Sequence, residues 1–275
     1  MISHKKAAES VLCGLISSSV KLAKIALAGT VALGLVPAVT GTAAAQPVKS
    51  RTLTDNRLYG AGPLPDTTCR ERRVKKGDAR SAKLYLNEML RCLTRTWGTE
   101  LRRANLKPSP VKLTYATEVP AKYCGDKWRK GDWDGFYCET SRTILIVLSK
   151  DLLQEPGDLY LLNLLATNYG EHVQNVTRIY RAWLDLDHRS KAELTEQTRR
   201  YSLQSSCFAG ASLRSVWKSF RRPREDWDDL LFYLRGWAGT YSGSRKSLTY
   251  WANEGFKTGD PASCNTWTAP SSKVA

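Results

Sequence analysis

Thr167, Asn168 and Glu171 bring a hydroxyl, an amide and a carboxylate together within one turn of the stretch LLNLLATNYGEHVQNVTRIY, residues 161–180. Leu162, Leu165, Tyr169, Val173, Val176 and Tyr180 recur there at three- and four-residue spacing, which predicts a helix with an apolar stripe and the polar trio beside it. Only the carboxylate of the trio ligates a metal well at neutral pH. An alcohol must first lose a proton to compete as a ligand, and an amide cannot take a proton from water. Imidazoles are scarce: beyond His4 the chain has only His172 and His188. His172 follows Glu171 directly, so its side chain points about 100° further round the helix. Glu171, His172 and His188, with Asp185 or Asp187, are the groups from which a metal site could be assembled, although nothing in their spacing requires one. The plain alternative is a polar helix face, with Glu171 paired to an arginine or histidine and His172 satisfied in the core.

The elements that must position this cluster follow from periodicity. Leu84, Leu86, Met89, Leu90, Leu93, Trp97 and Leu101 mark an amphipathic helix from Ala79 to Ala104, stopped by the prolines of NLKPSP. Val111 to Glu118 alternates as a strand does, and GFYCETSRTILIVLS (135–149) is β-branched and aromatic enough for one or two more. The intervening CGDKWRKGDWDG has the Gly and Asp content of a loop or hairpin connection. Helical patterns then run over Asp158–Trp183, Lys191–Phe220, Asp226–Thr240 and Lys246–Lys257, with no internal repeat. A few strands followed by many helices argue for an α+β domain, mainly helical, with a small sheet.

The N-terminus reads as an export signal. Lys5, Lys6, Lys21 and Lys24 precede the apolar run IALAGTVALGLVPAV, and Ala43 and Ala45 flank Ala44 just before Gln46. That run has 15 residues and contains Pro37, whereas a bilayer span takes about 20. The expected division is a signal peptide at 1–45, a linker or extended arm at 46–66, rich in Pro, Gly and Thr, a domain at 67–269 and a flexible tail at 270–275. Removing residues 1–45 leaves six of the seven cysteines: Cys69, Cys92, Cys124, Cys138, Cys207 and Cys264. With no C-x-x-C pair, an even set in an exported chain favours three disulfides over a metal site. Six cysteines allow fifteen pairings; joining neighbours in order suits Cys124 and Cys138 flanking a hairpin, and Cys69 and Cys92 bracketing a loop that leads into a helix. The formal charge of +16 falls to +13 without the signal. Such an excess favours anionic partners, but the basic residues are scattered and their runs short, which is the pattern of a solvated face rather than of specific nucleic-acid recognition.

The segment LLATNYGEHVQNV resembles the active-site helix of the bacterial neutral zinc metallopeptidase family, whose motif runs roughly A-H-E-x-G-H-H-V-Q; Ala166, Gly170, His172, Val173 and Gln174 match it. GFYCETSRTILIVLS is similar to the family's F-Y-C-P-x-D-x-T-I-Y-L strand. RRYSLQSSCFAG resembles its E-L-Q-A-D-C-x-A-G helix, and YWANEGFKTGDPASCNTW its W-F-x-x-G-F-x-x-G-D-P-x-x-C-D-T-F close. Four blocks in this order cover most of Tyr59 to Trp267. The resemblance implies a zincin-like domain, secreted and stapled by disulfides, in which the late helix is tied to the closing segment by Cys207 and Cys264 and Gly170 permits a close approach.

In that family the two histidines of H-E-x-x-H hold zinc and the glutamate activates the bound water. Here those three positions are Thr167, Asn168 and Glu171, and the acidic positions of the later helix are Ser202 and Ser206. The resemblance therefore implies a degenerate site: a pseudopeptidase that binds peptide or anionic envelope ligands, with no zinc, no other cofactor and no stable transmembrane span after processing. The alternative is an active zinc peptidase with a relocated metal site built from Glu171, His172 or His188.

Overall fold

In the computed structural model, residues 48–129, 133–154 and 157–275 are described. The signal expected at 1–45 lies outside them. The described chain is α+β and mostly helical. Its helices are α1 (Arg51–Thr54), α2 (Ala79–Arg103), α3 (Lys150–Gln154), α4 (Asp158–Val176), α5 (Ile179–Leu184), α6 (Lys191–Phe220), α7 (Arg224–Leu234) and α8 (Arg245–Thr258). The strands are β1 (Lys112–Ala116), β2 (Lys122–Tyr123), β3 (Asp126–Lys127), β4 (Gly135–Cys138) and β5 (Thr143–Val147). No described helix is long and apolar enough to cross a membrane.

The sheet has the order β1-β5-β4, with β5 parallel to β1 and antiparallel to β4. Central β5 buries four consecutive residues, Ile144 to Val147, because both its faces are covered. Edge strand β4 alternates instead. Phe136 and Cys138 are buried on one face, while Gly135 and Tyr137 turn toward α4, where a Cβ on Gly135 would meet Leu164 and the Asn168 amide. β2 and β3 form a separate hairpin. Its turn residues Cys124 and Gly125 have φ of 54° and 91°, the left-handed pair that a two-residue turn needs.

α4 is buried nearly all round, between β4 and α6. On its α6 side Gly170 approaches the Ser205 carbonyl so closely that a Cβ would stand 2.9 Å from it. α6 and α8 approach closer still. A Cβ on Gly210 would overlap the Ala252 carbonyl oxygen, and one on Gly255 the Cys207 carbonyl oxygen. α2 lays Tyr85, Leu86, Met89, Leu93 and Trp97 into the same core. Its N-cap Asp78 accepts from the amides of Arg80 and Ser81, satisfying two donors that the first turn leaves open.

Three disulfides join neighbours in order, Cys69–Cys92, Cys124–Cys138 and Cys207–Cys264. The last spans 57 residues, and closing a loop of that size stabilises a fold by about 4 kcal/mol on chain entropy.

Three expectations change. The helix predicted over Asp158–Trp183 is two helices, because Arg178 is left-handed at φ 66° and the Asn56 amide caps the Thr177 carbonyl at 3.2 Å. The segment 48–66 is no loose arm: it contains α1, and Leu53, Leu58 and Leu64 are buried. Nor is 270–275 free, since Val274 is fully buried and the Trp251 indole donates to the Lys273 carbonyl at 2.9 Å. Isolated anchors of this kind carry no periodic signal.

Candidate functional site

Thr167, Asn168 and Glu171 on α4 and Ser202 and Ser206 on α6 all line one cavity of about 200 Å³. Gly170 brings α4 close to α6 so that the two polar sets face each other. Three of the four hydroxyl and amide groups are committed to a carbonyl of their own helix. Thr167 Oγ1 donates to Asn163 at 2.9 Å, Asn168 Nδ2 to Leu164 at 2.8 Å, and Ser206 Oγ to Ser202 at 3.2 Å. Such back-bonds keep short polar side chains against the helix. Glu171 is the only ionisable group among the five.

His172 is spent on structure. It is 1% exposed. Its Nε2 lies 3.0 Å from the Ser109 carbonyl, which can only accept, so that nitrogen carries the proton. Nδ1 then accepts from the Tyr137 hydroxyl at 2.9 Å, and that hydroxyl oxygen accepts from Asn175 Nδ2 at 2.9 Å. Burial pushes the imidazole pKa down, against the opposing pull of the Ser109 carbonyl. Both ring nitrogens are engaged, which leaves neither for a metal. Burial likewise pushes the Tyr137 hydroxyl up to about 12, with Glu171 and Glu139 adding to the rise.

His188 lies between α5 and α6 and lines neither this cavity nor its neighbour, and Asp185 pairs with Arg181 at 3.0 Å. The relocated site imagined from Glu171, His172 and His188 is therefore not assembled. Among the described residues, the one group of three potential ligand atoms within 4.8 Å is Cys124, Cys138 and Glu139, and its two sulfurs form a disulfide. A catalytic zinc takes three imidazole, thiolate or carboxylate donors. Three alcohols, an amide and one carboxylate do not fit that ion.

Aromatic walls are the part that sequence reasoning missed. Trp128, Trp133, Tyr137, Trp237 and Tyr241 surround the cavity, with Phe136 and Trp128 edge to face at 4.5 Å. Trp128 and Trp133 come from the stretch read as a connecting loop; two tryptophans in so short a polar loop were the available signal. A second cavity, of about 160 Å³, shares the lining residues Trp128, Tyr137, Glu171 and Ser202 with the first, so the two adjoin along a common wall.

β4 runs along these cavities. Val147 donates its amide to the Asp134 carbonyl at 2.8 Å, so positions 134, 136 and 138 are the ones that exchange hydrogen bonds with β5. The main-chain groups of Gly135 and Tyr137 consequently point away from the sheet, and no described strand pairs with them.

No model of a known protein family matches the chain, and no solved structure matches it. The chain is similar to the uncharacterized protein YpfJ of Escherichia coli K12, at 26% identity over 194 residues, covering 62% of this chain and 67% of that protein. The YpfJ protein of E. coli O6:H1 (strain CFT073) matches to the same extent.

Proposed function

We propose that this chain is a secreted binding protein of the neutral zinc metallopeptidase type, zincin-like in ancestry, that has lost zinc and hydrolysis and holds an extended peptide in its cleft. The observation that carries the reading is the convergence of Thr167, Asn168, Glu171, Ser202 and Ser206, the positions at which the resembled family keeps its metal and base, on one cavity. The outward main-chain groups of Gly135 and Tyr137 give an incoming peptide an edge on which to add a strand, and the cavity beside them gives its side chains a pocket. The chemistry of hydrolysis is not supplied. A positioned base contributes about 10²–10⁴-fold to such a reaction, and the amide of Asn168 cannot serve as one. Three disulfides and the export signal suit an oxidising, extracytoplasmic setting. There the net charge, +13 without the signal, favours retention on anionic envelope polymers.

Elemental analysis of the purified chain tests this. No stoichiometric zinc is expected; one tightly held zinc per chain, removed together with peptide hydrolysis, overturns the reading. The quadruple variant Thr167→His, Asn168→Glu, Glu171→His and Ser202→Glu is expected to acquire zinc. A folded variant that still binds none counts against the proposed ancestry.

A further inference from the structure

The run RERRVKK, residues 70–76, mixes signs in the sequence, but the fold separates them. Glu71 turns inward. Its side chain is 15% exposed, and Arg222, just beyond α6, holds it with Nε 3.0 Å from both carboxylate oxygens and Nη2 2.7 Å from one. Val74 packs on the core, and its amide donates to Asp158 Oδ1 at 2.8 Å. Cys69 is joined to Cys92, the Lys75 amide donates to Ser81 Oγ at 2.9 Å, and the Gly77 amide donates to the Leu153 carbonyl at 2.8 Å. The segment is thus pinned to α2, α3, α4 and the end of α6 by its acid, its one apolar side chain and its backbone. What it leaves at the surface is positive: Arg70, Arg72, Arg73, Lys75 and Lys76 are exposed, as are Arg80 and Lys83 on the first turns of α2.

The acids beside these cations are engaged elsewhere. Asp78 caps α2, Glu88 pairs with Arg91 at 2.9 Å and lies 3.7 Å from Arg72, and Asp158 holds the Val74 amide. Arg70, Arg73, Lys75, Lys76 and Arg80 pair with no described carboxylate. Residues 70–88 hold seven lysines and arginines against three acids, a larger excess than the 42 against 26 of the whole chain.

Cations fixed on one short segment behave differently from the same number scattered over a surface. Residues 70 to 76 span at most about 22 Å of chain, so neighbouring charges lie within about a Debye length of one another and act together. A small anion meets one or two of them, whereas a linear polyanion meets the whole row and releases counterions at each contact. The pinned backbone is ordered before binding, which lowers the entropic cost of association. The arginine forks suit phosphate oxygens, which they bind through two donors at once. A bilayer surface would also ask for apolar anchors, and the one exposed large apolar residue on α2 is Leu84.

We infer that residues 70–76 and the first turns of α2 form a docking face for a linear, phosphate-bearing polymer of the cell envelope. The inference rests on the reading that the net charge favours anionic envelope polymers, and it names the surface responsible; it is independent of the peptide cleft.

Long-chain inorganic polyphosphate, which has neither bases nor lipid, is the probe, titrated calorimetrically into the purified chain over a series of salt concentrations. The face variant Arg70→Gln, Arg73→Gln, Lys75→Gln and Lys76→Gln is compared with a control, Lys107→Gln, Lys112→Gln, Lys191→Gln and Lys246→Gln, that removes the same charge from exposed lysines elsewhere. The face variant is expected to lose at least about tenfold in affinity near 0.1 M salt and to flatten the slope of log K against log salt by about 3, at about 0.7 per phosphate contact. The control is expected to stay within about threefold of the parent. Each single substitution on the face is expected to lower the slope by about 0.7 with Tm unchanged, so the result does not depend on one heavily altered variant. Equal losses in the two quadruple variants overturn the docking face and leave the retention by net charge in place. Absence of polyphosphate binding by the parent at low salt overturns both. Tighter binding of the parent to phosphatidylglycerol vesicles than to polyphosphate, lost in the face variant, overturns the polymer as partner and assigns the face to a membrane surface.

Discussion

Glu100 is the residue at which burial and charge conflict most plainly. Its side chain is fully buried on α2, Oε2 lies 3.3 Å from Arg103 Nη1, and Oε1 has no hydrogen-bond partner among the described residues. Burial pushes its pKa up to about 7, against the pull of Arg103, while an unfolded glutamate titrates near about 4.3. The folded chain therefore binds the extra proton between those values, and the stability this contributes is complete below pH about 4.3 and lost as pH rises through about 7. At 1.36 kcal/mol per unit, the whole swing is at most about 4 kcal/mol. Glu100→Gln is expected to match the parent in acid and to exceed its stability by about 2 kcal/mol at pH 8; denaturant unfolding at pH 5 and pH 8 checks this, and equal stability at pH 8 refutes it. At the same scale, the hydroxyl at position 167 and the amide at 168 were legible in the sequence, because a motif's chemistry resides in residue types. The engagement of both nitrogens of His172 was not. Its partners, Tyr137 and Ser109, are 35 and 63 residues away.

Among the elements, the crossing of α6 over α8 governs what the late helices tolerate. Gly210 and Gly255 let the two backbones meet, with no room for a Cβ on either. Inside a helix Gly→Ala normally stabilises by about 1 kcal/mol, so the sign of the effect is diagnostic. Gly98 on α2 has only the flexible end of Arg102 nearby, at 3.6 Å, and Gly98→Ala is expected to raise Tm slightly. Gly210→Ala and Gly255→Ala are expected to cost about 1–3 kcal/mol or more through overpacking, at about 2–4 °C of Tm per kcal/mol. A scanning calorimetry series in which all three variants shift the same way would show the crossing to be looser than described. Most helices and both main strands were legible because amphipathic periodicity records which face is buried. The break after Val176 was not, since its cause is the Asn56 amide, supplied by the distant N-terminal segment.

Over the whole molecule, net charge acts separately from the cleft. With +16 spread over the full chain, binding to a polyanion such as heparin, used as a probe, is expected to weaken steeply with added salt, because released counterions dominate that free energy. A flat salt response removes charge as the cause. Composition, cysteine parity and periodicity were by themselves enough to indicate a mostly helical α+β chain with three disulfides, and the sequence alone places no imidazole at 167, 168, 171, 202 or 206. These are properties that each residue carries locally, and they survive without knowledge of neighbours. Only the tertiary structure brought the five positions to one cavity, walled it with Trp128, Trp133 and Trp237, and set Asp126, Glu139 and Glu171 around a second chamber. A cavity is a space between elements distant in the chain, and its shape and charge depend on how those elements pack.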